Sequence, residues 1–65
     1  MKLIINGEEQ EVTSSTLSGL LDELAYEHDF LATARNSELV SAEERAGCEL
    51  LEGDRIEILS PMQGG

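Results

Sequence analysis

The chain is organised around Thr16-Leu17-Ser18-Gly19-Leu20-Leu21-Asp22-Glu23-Leu24. Its four leucines recur at positions i, i+3, i+4 and i+7, which places them on one face of an α-helix. Thr16 is the predicted N-cap, because its hydroxyl can accept a hydrogen bond from an amide of the first turn. We expect the helix to fade between residues 26 and 29, giving about ten residues. Its leucine face is interpreted as the centre of a hydrophobic core.

A β-hairpin is predicted before this helix. The apolar residues 3–5 are followed by Asn6-Gly7, a pair that favours a tight hairpin turn. The returning strand is expected at about residues 9–13, where Val12 is the one strongly apolar residue. We therefore expect this strand to lie at an edge of the sheet with one face in water.

Three more strands are predicted after the helix. Residues 30–35 alternate between small and larger side chains, Asn36-Ser37 follows as a turn, and residues 38–40 form a short return strand. Residues 52–54 are Glu-Gly-Asp, a turn signal, and residues 55–59 alternate again as a strand. The residues of this last strand expected to face the core are Ile56 and Ile58.

Two local features concern helical segments. Ser41-Ala42-Glu43-Glu44 has the Ser-x-x-Glu pattern of a capping box, which predicts a single helical turn at 42–46 that ends at Gly47. Gly19, inside the main helix, costs up to about 1 kcal/mol relative to alanine. We expect this cost to be accepted because the helix lies close to the sheet there.

The predicted order β-β-α-β-β-β places one long helix between an N-terminal hairpin and the later strands. One helix across one face of a sheet is an α+β arrangement, and this order fits the ubiquitin-like β-grasp, with a mixed sheet of four to five strands packed on one main helix. Residues 1–60 are expected to form this domain. Residues 61–65 are expected to form a flexible Gly-Gly tail.

Composition limits the possible functions. The 65 residues include 14 acidic and 4 basic side chains, for a net charge of −10, which would repel nucleic acid and anionic membranes. A domain of this size buries too little surface for a large internal active site. The single cysteine, Cys48, excludes an internal disulfide and multi-thiolate metal sites. With only a short apolar run at its start, the chain is predicted to be cytoplasmic.

The C-terminal sequence Pro61-Met62-Gln63-Gly64-Gly65 is the candidate functional segment. Pro61 restricts its own φ and favours an extended conformation at Ser60. Gly64 and Gly65 have no Cβ, so they can enter a channel too narrow for other residues. Five extended residues reach about 16 to 18 Å. The segment is therefore suited to delivering a carboxylate into another protein's active site, although an ordinary frayed terminus is the alternative.

Three segments together resemble the ThiS family, the sulfur-carrier proteins of thiamine biosynthesis. They are Ile4-Ile5-Asn6-Gly7, Ala32-Thr33-Ala34-Arg35-Asn36, and Glu52-Gly53-Asp54-Arg55-Ile56-Glu57-Ile58 leading to the tail. The resemblance covers the full length and is strongest over the last fourteen residues. One departure is Arg35-Asn36-Ser37, where the family commonly has an apolar residue followed by Asn-Gly. The second turn must therefore tolerate serine, with a charge beside it.

The resemblance implies a protein co-substrate and not an enzyme. An E1-like adenylyltransferase of the ThiF type would use ATP and Mg²⁺ to convert the Gly65 carboxylate to an acyl-adenylate. A persulfide sulfur donor, made by a cysteine desulfurase, would then convert it to a thiocarboxylate. A ThiG-type thiazole synthase would consume the sulfur. The chain itself would bind no cofactor, and its partners would recognise Pro61, Met62, Gln63 and Gly64.

Alternatives remain open at this point. A molybdopterin synthase small subunit would use the same thiocarboxylate, and a ubiquitin-related modifier would use the same tail, whereas a noncovalent β-grasp interaction module would not need the Gly-Gly end. An acyl-carrier protein, which is also small and acidic, is disfavoured because the Asp-Ser-Leu motif is absent. Cys48 has no basic neighbour in sequence that would make it a thiol relay. His28 has no second metal ligand at a suitable spacing, so we interpret it as solvated.

Overall fold

A computed structural model, which describes residues 1–60, contains one five-stranded mixed sheet and one α-helix packed on it. In chain order the elements are β1 (Lys2–Ile5), β2 (Glu8–Glu11), α1 (Leu17–Glu23), β3 (Ala32–Arg35), β4 (Glu38–Val40), a 3-10 helix (Ala42–Gly47) and β5 (Arg55–Leu59). The strand order across the sheet is β2-β1-β5-β3-β4. β1 and β5 are parallel, and the other neighbours are antiparallel. The predicted α+β class and β-grasp arrangement are confirmed, while the predicted tail at 61–65 lies outside the described residues.

The hydrophobic core lies between α1 and one face of the sheet. Three of the four leucines that predicted the helix are fully buried, and Leu24 packs against them from the edge. Ile56 and Ile58 of β5 are buried as predicted, and the alternate residues of this strand are exposed. The remaining buried apolar residues are Leu3, Ile5, Val12 and Leu50.

The main helix begins as predicted but ends earlier. Thr16 caps it, since its hydroxyl accepts a hydrogen bond from the Gly19 amide at 3.1 Å. The helix has seven residues, because Ala25 adopts a left-handed conformation with φ 64°. The amide of Tyr26 then donates to the carbonyl of Leu21 at 2.9 Å, which closes the helix in the manner of a Schellman motif.

The atoms closest to the open side of Gly19 belong to the chain that enters the helix and not to the sheet. A Cβ at this position would lie 3.2 Å from the Thr16 hydroxyl oxygen and 3.4 Å from the Ser14 Cβ. The expectation that Gly19 allows the helix to approach the sheet is therefore wrong. The glycine leaves room for the chain that enters the helix.

Two predicted strands are shorter than expected. β2 ends at Glu11. The Val12 amide still donates to the Met1 carbonyl at 2.8 Å, but the amides of Thr13 and Ser14 donate to the Glu23 carboxylate of the helix at 3.0 to 3.1 Å. β3 begins at Ala32, because Phe30 has a φ of 62° that a strand cannot contain. Val12, the one strongly apolar residue expected in the returning strand, is buried but follows the strand.

The predicted single helical turn after β4 is a 3-10 helix. The Ser41 amide donates to the Glu44 carboxylate at 3.0 Å, which confirms the reciprocal contact expected from the capping box. The helix includes Gly47, one residue further than predicted, and Cys48 follows it.

Candidate functional site at the end of the last strand

The predicted site residues, Pro61 to Gly65, follow directly after the described part of the chain. The structure shows that they follow strand β5. β5 is the central strand of the sheet, bonded to β1 on one side and to β3 on the other. Its last residue, Leu59, pairs with Ala32, and Ser60 follows. The tail thus follows the central strand of the sheet in sequence.

Asn6 fixes the end of β5 from which the tail departs. Beyond the end of β1, its side-chain amide donates to the Ile58 carbonyl at 3.2 Å, and its side-chain oxygen accepts from the Ile58 amide at 2.9 Å. The Asn6 backbone amide also donates to the Ile56 carbonyl at 2.9 Å. The side chain therefore continues the parallel ladder after β1 has turned away. The sequence predicted Asn6 only as a turn residue.

Asp54 fixes the opposite end of β5. The residue is only 7% exposed, and its carboxylate accepts hydrogen bonds from Arg35 Nε at 2.8 Å, Asn36 Nδ2 at 3.1 Å and the Leu51 amide at 2.8 Å. Burial raises the pKa of Asp54, but these hydrogen bonds and the positive charge of Arg35 outweigh it, so the pKa lies below its ordinary value. Asp54 is thus an ionised group that connects β5 to the second hairpin.

The Asp54 contacts account for the departure from the family pattern in the second hairpin. Arg35, which replaces the usual apolar residue, forms the ion pair with Asp54. Ser37 adopts φ 72° beside Asn36 at φ 50°. The turn therefore tolerates serine in a conformation that favours glycine.

Two surfaces surround the start of the tail. On the sheet face that α1 leaves open, Leu59 and Leu39 are exposed beside Ala32 and Ala34 of β3. On the side of the loop that follows α1 lies a groove of about 370 Å³. The loop groove is lined by Ala25, Tyr26, Glu27, Asp29, Phe30, Leu31 and Ser60.

Cys48 and His28 are not among the residues that line the loop groove. Cys48 is half-buried against the core. No basic residue is adjacent to Cys48 in sequence, but the fold places Arg35 on the same surface depression. The Nε of Arg35 is, however, already bonded to Asp54. The His28 ring is 2.8 Å from an Asp22 carboxylate oxygen at the surface.

Within residues 1–60, no group of three or more His, Cys, Asp and Glu side chains is arranged to hold a metal ion. No helix in the described part of the chain is long and apolar enough to cross a membrane.

Comparison with known proteins identifies the family. The ThiS family model matches residues 3–65. A crystal structure of the thiamine biosynthesis protein ThiS from Geobacter metallireducens superposes with a TM-score of 0.83 at 26% identity, covering all of both chains. A solution NMR structure of a thiamine biosynthesis protein from the same organism gives a TM-score of 0.82 at 26% identity, covering all of this chain and 88% of the other.

A longer relative also matches. A thiazole synthase from Paramagnetospirillum magneticum is 39% identical over 66 residues, which cover all of this chain and 20% of the relative. The chain thus spans about a fifth of that protein's length. Since the family model covers residues 3–65 and the described domain shares the fold of a ThiS crystal structure, the chain belongs to the ThiS family, the small sulfur-carrier proteins of thiamine biosynthesis.

Proposed function

We propose that Gly65 is the sulfur-bearing residue of this carrier, and that its carboxylate is converted to a thiocarboxylate that supplies the sulfur of the thiazole ring. The observation that carries the proposal is that the family match extends through residue 65 and so includes the Gly-Gly sequence. A noncovalent β-grasp module would have no need of that sequence.

The first step must activate the carboxylate, because its negative charge and poor leaving group make it unreactive toward nucleophiles. A Gly65 carboxylate oxygen attacks the α-phosphorus of ATP, pyrophosphate leaves, and a mixed anhydride with AMP forms. The Mg²⁺ and ATP belong to the ThiF-type activating enzyme. To the bond-making step itself the carrier contributes an unhindered carboxylate, since Gly64 and Gly65 place no side chain beside the reacting carbon.

Sulfur is added in the second step. A persulfide sulfur, supplied through a cysteine desulfurase, attacks the acyl carbon and AMP departs, which leaves an acyl disulfide. A thiol reductant supplies two electrons, cleaves the S–S bond and releases the Gly65 thiocarboxylate. The soft, nucleophilic sulfur is then transferred to the substrate of a thiazole synthase.

The thiazole synthase relative supports the choice of final partner. One fifth of that protein is similar to this whole chain, so a carrier-like segment and a thiazole synthase occur in one polypeptide there. We infer that the present carrier delivers sulfur to a ThiG-type synthase. Residues 61–64 enter the partner's channel, and the domain supplies the surface that distinguishes one partner from another.

The proposal requires a free carboxylate at Gly65, and this requirement gives a direct test. We expect ATP-pyrophosphate exchange with the cognate activating enzyme to occur with the unaltered protein. Exchange should be lost when an alanine is added after Gly65 or when Gly65 is deleted, while circular dichroism shows an unchanged fold. Undiminished exchange by the extended protein would disprove the proposal. Intact mass of the protein isolated from its host should also show a fraction heavier by the difference between sulfur and oxygen.

The pathway is tested separately in the host. Deletion of the gene should create a growth requirement that thiamine or the thiazole alcohol relieves, while molybdenum-cofactor enzymes remain active. Loss of nitrate reductase activity without a thiamine requirement would instead assign the carrier to molybdopterin synthesis.

A further inference from the structure

Phe30 occupies a conformation that its own side chain disfavours. Its φ of 62° lies in the left-handed region, which is rare for a bulky residue. The side chain is also 76% exposed, so burial in the core does not compensate for the strain. Stability of the domain alone does not explain a phenylalanine at this position.

Arg45 holds the backbone on both sides of Phe30. The guanidinium is buried, with 4% of the residue exposed, and donates to the His28 carbonyl at 3.0 Å and the Leu31 carbonyl at 2.8 Å. Its Nε donates to the Thr33 hydroxyl at 3.1 Å. Burying a guanidinium is costly unless its donors are satisfied. These three hydrogen bonds give each guanidinium nitrogen a partner. They also connect the strained loop to Thr33 of β3.

The loop lies where the tail begins. Phe30 and Ser60 line the same loop groove. Only five residues separate Ser60 from the end of Gly65, and five extended residues reach about 16 to 18 Å. Any enzyme that acts on Gly65 in an enclosed active site must therefore bring its rim against the residues around Ser60.

The charges of the groove discriminate among possible occupants. Glu27 and Asp29 line it beside Phe30, so they would repel the carboxylate of the chain's own tail. A second copy of the chain also carries a net charge of −10. An enzyme surface with an apolar pocket and a basic rim is complementary to an aromatic side chain flanked by carboxylates.

We propose that Phe30 is an anchor residue by which the ATP-dependent enzyme that activates Gly65 binds this carrier, and that Arg45 is its positioning residue. This inference rests on the proposed function. The strained, braced loop presents the aromatic ring in a fixed orientation before the encounter, which lowers the entropy lost on binding. Aromatic side chains, phenylalanine among them, are enriched at protein interfaces relative to the rest of the surface.

The test measures ATP-pyrophosphate exchange at varied concentrations of intact carrier. Phe30→Ala should raise the KM for the carrier about 10- to 30-fold and leave kcat unchanged, since the chemistry occurs at Gly65. Leu51→Ala is the matched control. Leu51 is 62% exposed at the opposite end of β5, and its substitution should change KM less than about twofold.

Phe30→Gly separates binding from stability. Glycine relieves the left-handed conformation, so the Tm should rise by about 3 °C, whereas KM should rise as far as in Phe30→Ala. A variant that is more stable but binds less well would show that the side chain serves recognition.

Arg45→Lys tests the positioning role, with circular dichroism to verify folding. It should raise KM in the unaltered background but add little in Phe30→Ala, because its effect passes through the aromatic ring. Additive effects of the two substitutions would overturn the role given to Arg45, as would loss of the fold in Arg45→Lys.

Several outcomes distinguish this inference from the proposed function. No exchange with unaltered carrier would overturn both. Normal exchange with an unchanged KM in Phe30→Ala would overturn only the inference, and so would an effect confined to later sulfur transfer to the synthase, which would assign the loop groove to that enzyme. A concentration-dependent dimer that Phe30→Ala dissociates in sedimentation would assign the groove to a second copy and overturn the inference as well.

Discussion

The two β-hairpins use the same turn but attach to β5 by different chemistry. Each has a two-residue loop with positive φ at both positions, 50° and 85° in Asn6-Gly7 and 50° and 72° in Asn36-Ser37. In each, the asparagine side chain bonds to the backbone of β5. Asn6 bonds to Ile58, and Asn36 accepts from the Arg55 amide at 3.0 Å.

The difference lies in charge. The first hairpin holds the tail end of β5 through a neutral amide alone. In the second hairpin, Arg35 and Asn36 donate to the buried carboxylate of Asp54, which precedes the other end of β5. We infer that the tail end of β5 is held independently of pH, whereas the other end depends on an ionised group.

The largest effect is expected from breaking the charged attachment. Asp54→Ala should lower the free energy of unfolding by about 3 kcal/mol, because Arg35, Asn36 and the Leu51 amide lose their buried acceptor. Urea unfolding followed by circular dichroism measures this change. Asp29→Ala, at an exposed carboxylate, is the control and should change stability by less than about 0.5 kcal/mol.

The neutral attachment is expected to cost less to remove. Asn6→Gly keeps a residue that accepts positive φ and deletes only the side-chain bonds to Ile58, so stability should fall by about 2 kcal/mol. Amide hydrogen exchange should accelerate at Ile58 more than at Arg55. Equal acceleration at both amides would show that the two ends of β5 do not open separately.

Low pH is expected to weaken the attachment of the second hairpin selectively. The loss of stability should be smaller than for Asp54→Ala or Asn6→Gly, because the protonated Asp54 side chain keeps part of its hydrogen bonding. The pKa of Asp54 is lowered in the folded protein. Its stabilising contribution is therefore complete above the unfolded value of about 3.9 and is lost as pH falls through the folded value. The difference in stability between the unaltered protein and Asp54→Ala should shrink over that range, whereas the difference from Asn6→Gly should persist.

The smallest effect is expected from a substitution that makes the two turns alike. Ser37→Gly should raise the free energy of unfolding by about 0.5 to 1 kcal/mol, because glycine adopts φ 72° without steric cost. A thermal melt at neutral pH measures the gain. Gly7→Ser is the mirror-image control and should lower stability by a similar amount, since Gly7 has φ 85°.

These hairpins also show how far sequence reasoning reached. The turns were predictable because Asn-Gly and Asn-Ser signal them within two residues, and alternating residues in β5 identified its buried face. The hydrogen bonds between Asn6 and Ile58 could not be predicted, because they join residues 52 positions apart. The sequence places Asp54 in a turn signal. Its partners Arg35 and Asn36 could not be predicted, because only the pairing of β3 with β5 brings them to it.

Departures in the helix and the next strand have a different cause. Ala25 and Phe30 both have positive φ, and neither residue type signals a left-handed conformation. Leucine spacing predicted the helix face and its start, but the end was fixed by Ala25. The candidate tail is a prediction from sequence alone, whereas the loop groove could not be predicted because the fold brings the loop at residues 25–31 next to Ser60.

The composition of β2 has a consequence for how the protein behaves when crowded. This outer strand reads Glu-Glu-Gln-Glu and has β1 on one side only. A second copy adding there in antiparallel register would oppose carboxylates with carboxylates, which disfavours pairing. The charge on β2 therefore keeps copies of this sheet from joining through that edge when the protein is concentrated.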